Sequence, residues 1–470
     1  MQDERDRRIA ELTEEVAALR SIVAELRVQV EELKANLTQN SSNSSRPPSS
    51  DAPVDRDARR GKQPTGRSRG GQPGHKGSKR TLLPAEKVNR TQDCYPKHCR
   101  RRGCGRLLPR RSNGEPLHHQ VVEVPAIKPD VTDYLLHAVT CDCGKVTRAS
   151  VPTGVPRGMC GPRLMALIGM LTGVYKLSRR EAGRLLGDFL GVDIALGTLS
   201  EAEGDVSESV VVPVEEARVY ASEQSSKNVD ATGWRQSGEA RTLWTIATPF
   251  VTVFGIVTDA SRAGLRGLFA SVRGILITDR GTQFGFWAME QRQICWAHLI
   301  RKFASFAERS GPAGQLGVQL LFWSQAMMHY WHMVRDGTMS RRRFRTLMIS
   351  IQPIVEDLLD RGLRLDVRGV SGSCKDILGH KLALWTFVDQ EGIEPTNNHA
   401  ERELRGFVLW RKKCFGSQSD RGNRFAARIM TVAHSLRKQR RHVLEYLTDA
   451  CRAALDGRPA PSLLPAMSTP

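Results

Sequence analysis

Apolar residues in the first forty positions recur with the spacing of a coiled coil. Two sets of positions alternate three and four apart: Ile9, Val16, Val23, Val30 and Leu37, and between them Leu12, Leu19, Leu26 and Leu33. Mostly β-branched residues at one core position and leucine at the other are typical of a parallel dimer. We predict a leucine-zipper coiled coil over residues 1–39 that joins two copies of the chain. A single amphipathic helix packed on the chain's own body is the alternative.

Residues 40–93 have no apolar period. A Pro- and Ser-rich stretch leads into a segment, residues 56–80, that holds nine Lys or Arg against one acid. Its Gly and Pro content opposes a regular element, so we predict a disordered basic linker that lies along DNA phosphates. A solubilising tether is the alternative. The DNA-contacting residues of this arm are expected to be Arg67, Arg69, Lys76, Lys79 and Arg80.

Half of the ten cysteines fall within residues 94–148. The chain begins with charged residues and shows neither a signal-peptide pattern nor a run of about 18 apolar residues, so we expect a cytoplasmic chain without membrane contact. Clustered reduced cysteines favour a zinc-ribbon-like module over disulfides, with two cysteine knuckles bridged by the strand-like residues 118–140. The expected zinc ligands are Cys99, Cys104, Cys141 and Cys143, with Cys94, His98 and His137 as spare candidates. A cysteine-bearing sheet without metal is the alternative.

Residues 149–222 carry the apolar spacing of helices. A capped helix is predicted from Ser178, a break near Gly191, and a second helix from near Thr198. This order is typical of a helix-turn-helix that reads DNA, although a plain helical hairpin has the same pattern.

After residue 225 the pattern changes to that of strands. An extended stretch reaches Asp230, two apolar runs separated near Thr248 predict a hairpin, and a buried-strand pattern ends at Asp279. A short strand then enters a helix near residue 295. This order matches an RNase H-like fold, in which carboxylates gather at neighbouring strand ends.

A third acid, Glu401, lies in the first turn of a helix that follows Pro395. Each acid also has a local explanation: Asn398 and Glu401 have capping-box spacing, Asp279 precedes a turn, and Asp230 could cap one. Together the three fit phosphoryl transfer, because two Mg²⁺ or Mn²⁺ ions need oxygen ligands from separate elements. A net charge of +20 further favours a polyanionic partner, for which we expect DNA.

At these residues the chain resembles the insertion-sequence 66 (IS66) transposases. The motifs that carry the resemblance include GGQPGHKG, VPRGMCGPRL, VDATGWR, ITDRG, CWAHLIRKF, EPTNNHAERELR and LWRKKCFGSQS. The resemblance implies an Asp-Asp-Glu site of Asp230, Asp279 and Glu401 that holds two metal ions. It also implies a Cys-x-x-His signature, Cys295 and His298, and a helical insertion between the second and third acids. Arg402 and Arg405 are expected to contact DNA or to be solvated helix charges.

Two positions depart from the family pattern. Ala231 stands where the family commonly has Glu, and Gly281 where an aromatic or bulky residue is expected. Both lie beside an expected metal ligand, and neither removes one.

The sequence thus predicts a multidomain α/β chain with an RNase H-like catalytic core. The expected domains are the coiled coil (1–39), the basic linker (40–93), the zinc module (94–148), the helical region (149–222), the first core segment (223–289), a strand plus helical insertion (290–394), the second core segment with C-terminal helices (395–455) and a tail (456–470). The resemblance implies hydrolysis at an element's end, strand transfer of the 3′-hydroxyl into target DNA, a nucleoid location, and possible accessory proteins encoded beside the element. The alternatives are a DNA-binding regulator with an inactive core and a nuclease that cuts without joining.

Overall fold

The computed structural model of the chain describes Val16 and residues 81–465. Apart from Val16, the predicted coiled coil lies outside the described residues, and so does the basic arm with Arg67, Arg69, Lys76, Lys79 and Arg80. The chain forms two compact units, and from residue 81 onward the boundary between them lies between Pro129 and Asp130.

The described residues of the smaller unit, 81–129, consist mainly of turns and extended segments. Two backbone hydrogen bonds, from Cys99 N to Arg106 O (2.8 Å) and from Leu108 N to Lys97 O (3.0 Å), close a tight loop that carries Cys99 and Cys104. The strand-like pattern expected from residue 118 to 140 is wrong for most of its length, because of these positions only Ala138–Thr140 form a strand.

The larger unit begins with a short hairpin. Strands β1 (Ala138–Thr140) and β2 (Val146–Arg148) pair antiparallel, and Cys141 and Cys143 lie in the turn between them. Cys141 N donates to Lys145 O at 2.9 Å. Of the four expected zinc ligands, Cys99 and Cys104 lie in the smaller unit, and Cys141 and Cys143 lie in the larger one.

Four helices follow the hairpin, as the apolar spacing predicted. The second begins after Ser178 with a capping box to Glu181 and ends at Gly191, whose φ of 66° favours glycine. The next begins at Leu196, two residues before the predicted start. The helices are α1 (Pro162–Gly169, continued by a π-helical turn to Val174), α2 (Arg179–Leu190), α3 (Leu196–Ser209) and α4 (Val211–Glu223).

A five-stranded mixed sheet forms the centre of the larger unit. Its strands are β3 (Ser226–Gln236), β4 (Glu239–Ala247), β5 (Thr252–Val257), β6 (Ile275–Thr278) and β7 (Arg292–Ile294). The order is β5-β4-β3-β6-β7, antiparallel from β5 to β3 and parallel from β3 to β7. The predicted hairpin near Thr248 is confirmed as the β4–β5 turn. The predicted short strand at Asp230 is longer than expected, because β3 continues to Gln236.

Strand β6 separates two apolar cores. Leu276 belongs to one core, together with the sheet and the N- and C-terminal helices, while Ile275 and Ile277 belong to the other. This alternation follows from the period of two in a strand and explains why the ILIT run is apolar on both faces.

The second core consists mainly of the helices between β7 and the third acid. A short helix, α5 (Arg262–Arg266), precedes β6, and α6 (Trp296–Ala307) follows β7. The remaining helices of this insertion are α7 (Gly311–Arg335), α8 (Arg341–Arg364), α9 (Ser371–Gly379), α10 (Lys381–Leu384) and α11 (Thr386–Asp389). Its tryptophans and methionines are largely core residues.

Three helices follow the insertion: α12 (Asn398–Cys414), α13 (Asp420–Lys438) and α14 (Val443–Leu455). Helices α12 and α13 pack on the sheet, whereas α14 packs mainly on α1 and α3. Helix α13 covers the free edge of β5. Thr252 N and Phe254 N donate to Ser435 Oγ and Thr431 Oγ1, each at 3.1 Å. These hydroxyls satisfy edge amides that would otherwise be open to pairing with another strand.

Lys227, at the start of β3, is a buried cation inside this framework. Its ammonium donates to the carbonyls of Ser222 (2.8 Å) and Arg273, and so joins the end of α4 to the loop before β6. Burial lowers the pKa of Lys227 from 10.5 to about 8. Folding therefore stabilises the neutral amine relative to the ammonium. Below pH about 8 the ammonium is buried in the folded chain, which lowers the free energy of unfolding.

We expect this cost to appear as a pH dependence that Lys227→Met removes. The unfolding free energy of the wild type, relative to the variant, should rise by up to about 3 kcal/mol as pH increases from about 8 to 10.5. Denaturant unfolding of both proteins at constant ionic strength measures the difference. A difference that stays flat with pH, or falls, would contradict the burial argument.

Within residues 81–465, every helix is too short or too polar to cross a lipid bilayer.

Candidate functional site

Asp230 and Asp279 lie side by side across a parallel strand pair. Strands β3 and β6 pair up to Asn228 and Ile277, and each acid lies two residues beyond that pair. Neighbouring strands are about 4.8 Å apart, and residues two apart in a strand share a face, so the register brings the two carboxylates together. Pairing of β3 with β6 stops here, whereas β3 continues along β4.

Glu401 joins them from helix α12, and Asn397 fixes the helix start. Asn397 is fully buried. Its amide donates to Val229 O at 2.8 Å, it accepts from Asn228 Nδ2 at 3.0 Å, and its backbone N donates to Cys295 Sγ at 3.1 Å. The N-terminus of α12 is thus attached to β3 one residue before Asp230.

The capping-box explanation of Glu401 does not hold in the structure. The N-cap is Asn397 rather than Asn398, and no side chain caps this end. The turn explanation of Asp279 does hold, since its Oδ1 accepts from Gly281 N at 2.9 Å. Asp230 lies within strand β3 and does not cap a turn.

The electrostatics of Asp230 link the three acids. Burial, helped by the charges of Asp279 and Glu401, raises the pKa of Asp230 to about 7. The hydrogen bond from Ala231 N and the charge of Arg301 oppose this rise. The three carboxylates thus destabilise one another's ionised forms, and bound cations would stabilise those ionised forms.

Glu401 lies near two nitrogens without forming a hydrogen bond to either. His298 Nδ1 is 3.8 Å and Arg301 Nη2 is 3.7 Å from Glu401 Oε1. Glu401 Oε1, His298 Nδ1 and Arg301 Nε are buried and have no hydrogen-bond partner among the described residues. Such unsatisfied atoms are costly in a closed site, and a carboxylate oxygen in this state fits a cation ligand.

His298 is held neutral. Burial first, and then the charge of Arg301, lower the pKa of His298 against the opposing charges of Glu401 and Asp279. One possible ligand atom each from Cys295, His298 and Glu401 lie within 4.8 Å of one another. Neutral imidazole is a metal ligand, so His298 could complement the acids.

Cys295 is better suited to packing than to holding Mg²⁺. It is fully buried, and burial raises the pKa of its thiol to about 11. Hard cations prefer oxygen to sulfur. Its clear structural role is to accept the hydrogen bond from Asn397 N.

Two arginines support the segment that carries Asp279. Arg292 Nη2 donates to Asp279 O at 3.2 Å, and Arg280 forms an ion pair with Asp376 of α9 at 2.8 Å. The helical insertion thus contacts the residue next to the second acid.

A charged cluster attaches α12 to α13 just beyond Glu401. Glu403 accepts from His434 Nδ1, and it lies 3.5 Å from His399 and 3.2 Å from Lys438. Burial raises the pKa of Glu403, but hydrogen bonds with His399 and His434 and the charge of Lys438 outweigh it, so this carboxyl stays ionised. Arg402 and Arg405, by contrast, are exposed on α12.

Three residues near the acids were not predicted from the sequence: Asn397, Arg301 and Glu403. Only Asn397 had a visible signal, as the buried member of the Asn-Asn pair that follows Pro395. Which asparagine faces the core was not readable without the helix start.

The site lies within a region that matches a known family. Residues 157–425 match the profile described as "Transposase IS66 family", and this segment contains all three acids together with Cys295 and His298. The chain belongs to the IS66 transposase family. Residues 2–81 match a second profile, described as "Family of unknown function (DUF6444)".

One relative of the IS66 family chain is the "Uncharacterized protein y4hP" of Sinorhizobium fredii (strain NBRC 101917 / NGR234). The two are 23% identical over 364 residues, which cover 69% of this chain and 65% of the relative. The chain thus spans just under two thirds of that relative's length.

Proposed function

We propose that this chain is a DNA transposase that cleaves and joins DNA at the site formed by Asp230, Asp279 and Glu401. The observation that carries the proposal is the strand register, which brings two acids together across β3 and β6 while Asn397 attaches the helix of the third acid to β3. Strand order and pairing also support an RNase H-like core interrupted by a helical insertion.

The three acids fit divalent cations. Their oxygens are hard donors from three separate elements, and Glu401 Oε1 is buried without a hydrogen-bond partner among residues 81–465. Two Mg²⁺ or Mn²⁺ ions held by Asp230, Asp279 and Glu401 would activate the attacking oxygen and stabilise the leaving one. Asn397 would hold the start of the helix that carries Glu401 in place, and His298 would lie within reach of a bound ion. Arg402 and Arg405 would contact DNA phosphates.

The reaction would consist of two in-line displacements at phosphorus. In the first, water attacks the phosphate at the element's end, the P–O3′ bond breaks, and the leaving oxygen takes a proton to become a 3′-hydroxyl. In the second, this hydroxyl loses its proton and attacks a target phosphate, whose own P–O3′ bond breaks. One phosphodiester replaces another in the joining step, so no ATP is needed.

A strand-transfer assay tests this function. Purified protein is incubated with an uncut or a pre-cut end of the DNA element that encodes it and a target plasmid, with Mg²⁺, Mn²⁺ or EDTA. We expect joined products with either metal and none with EDTA. Cleavage without joining would favour the nuclease, and DNA binding without cleavage would favour the regulator with an inactive core.

We further propose that Cys99, Cys104, Cys141 and Cys143 bind a structural Zn²⁺. The support is that each cysteine pair lies in one tight turn, as zinc knuckles require. Metal analysis of the purified chain should give about one zinc per chain, lost when Cys141 and Cys143 are both changed to Ser. Zinc retained in that variant would exclude this ligand set, with Cys94 next to be tested.

The remaining proposals concern assembly and location. A dimer through residues 1–39 would hold two element ends together, and the basic arm would add phosphate contacts. The domain boundaries, a cytoplasmic location at the nucleoid and a need for accessory proteins stay predictions.

A further inference from the structure

The exposed face of α12 is basic along its whole length. With the described part of the chain in place, the exposed residues of this helix are Asn398, Arg402, Arg405, Leu409, Lys412 and Lys413. Four of these six are cationic and none is acidic. Lys413 approaches Glu181 at 3.6 Å, which leaves Arg402, Arg405 and Lys412 as a stripe (the basic stripe) along one side of the helix, with Leu409 between Arg405 and Lys412. The stripe begins beside Glu401.

The basic stripe ends at an unusual aromatic residue. Phe415 is 79% exposed with the described residues in place, and its φ of 59° lies in the left-handed region. A bulky residue is rare in this conformation, and such outliers concentrate at ligand-binding sites.

The backbone on both sides of Phe415 fixes this conformation. Phe415 N donates to Arg411 O at 2.9 Å, and Ser417 exchanges hydrogen bonds with the end of β3, to Arg235 O and from Ser237 N, both 2.9 Å. Gly416 has a φ of 114°, and a Cβ there would overlap Arg235 O. The loop is therefore anchored while its apolar side chain points away from the core.

The distance from the acids to Phe415 follows from how α12 runs beside β3. Asn397 contacts Val229 at one end, Arg411 contacts Gly233 in the middle, and Ser417 pairs with Gln236 at the other end. Phe415 lies fourteen positions after Glu401. At 1.5 Å per residue this is about 21 Å, which equals about six base pairs of B-DNA at 3.4 Å each.

We propose that the basic stripe follows the phosphate backbone of the element-end duplex and that Phe415 inserts beside a base about six base pairs from the cleaved phosphate. This inference rests on the proposed transposase function and names the DNA-contacting surface of that site. Two observations favour duplex DNA over a protein partner: the exposed residues of α12 include no acidic side chain, and the stripe starts at the residue after Glu401.

The test uses the full-length protein and pre-cut element-end duplexes that carry 2-aminopurine in turn at base pairs about four to eight from the 3′ end. Insertion of Phe415 unstacks a neighbouring base, so fluorescence should rise in the wild type near the sixth pair. Phe415→Ala should lose that rise and bind the duplex about ten- to a hundred-fold more weakly, the range expected for one base–aromatic contact.

Matched variants separate this role from structural effects. Phe322→Ala, on the exposed side of α7, should behave as the wild type, since Phe322 is 61% exposed but far along the chain from the basic stripe. Phe415→Gly should melt at or above the wild-type temperature, because glycine tolerates this φ, and should bind DNA as weakly as Phe415→Ala. Arg405→Gln should lower the salt dependence of binding by about one ion, whereas Phe415→Ala should leave it unchanged.

If Phe415→Ala keeps wild-type affinity and the fluorescence rise while the wild type joins DNA, the surface is wrong and the transposase function stands. If the wild type neither binds nor joins element ends, both the function and this inference are overturned.

Discussion

Asp279→Asn is expected to lower strand transfer at least about 10³-fold while DNA binding survives. The amide keeps the shape of the side chain and its acceptor for Gly281 N, but it removes one of the charges that would hold the cations. Stabilisation of transition-state charge by such ions is worth several kcal/mol, which corresponds to this loss of rate. Rates on a pre-cut end and duplex affinity are measured in parallel.

Asp336→Asn is the matched control, because Asp336 is 58% exposed at the end of α7 and pairs only with its neighbour Arg335 in the described chain. It should join DNA at the wild-type rate. Mn²⁺ binding followed by electron paramagnetic resonance should weaken in Asp279→Asn and not in Asp336→Asn. Full joining activity in Asp279→Asn would remove Asp279 from the site and favour a different acid set.

Asn397→Ala is expected to impair both stability and joining. The change removes two buried hydrogen bonds, from Asn397 to Val229 O and from Asn228 Nδ2 to Asn397. Asn228 Nδ2 keeps only its long contact of 3.5 Å with Thr396 O. Two lost buried hydrogen bonds should lower the unfolding free energy by about 2–4 kcal/mol. The start of α12 then loses its attachment to β3, and a displacement of Glu401 of about 1 Å can cost about 10² in rate.

The neighbouring substitution Asn398→Ala provides the control, since Asn398 is exposed at the first position of α12. It should leave stability and joining close to wild type. A positioning role predicts that Asn397→Ala lowers the joining rate of bound DNA at a temperature where the variant is folded, with DNA affinity kept. Loss of stability with an unchanged rate would make Asn397 a structural residue only.

The sequence predicted the strands of the sheet better than their ends. The GILITDRG segment predicted β6 and placed Asp279 just after it, because three apolar residues and a threonine between a glycine and an acid are typical of a short buried strand. For Asp230 the pattern predicted a short extended stretch, whereas β3 runs six residues further along β4. Asp230 lies two residues beyond the last residue of β3 that pairs with β6. That pairing depends on a strand about fifty residues later in the chain.

The cysteine-rich segment, residues 94–148, was also predicted only in part. The cysteine spacing predicted knuckles, and both turns are present, but the intervening residues are largely not strands. The HHQVVEV segment has residues that favour strands, but most of its side chains are exposed. Strands are stabilised by packing against neighbours, so this preference alone does not form one.

By itself, the sequence determined the features that depend on residues close together in the chain. These include the capped helix at Ser178, the β4–β5 hairpin, the apolar strand before Asp279, and the acid in the first turn of α12, each fixed by local sterics, capping or period. The family resemblance added the expectation that Asp230, Asp279 and Glu401 form one metal-binding site. Tertiary structure alone decided that β3 and β6 pair in a register that brings Asp230 beside Asp279, and that Asn397 rather than Asn398 is buried. It also decided that Phe415 lies exposed at the end of the basic stripe. These outcomes depend on contacts between residues tens to hundreds of positions apart, for which a local pattern holds no information.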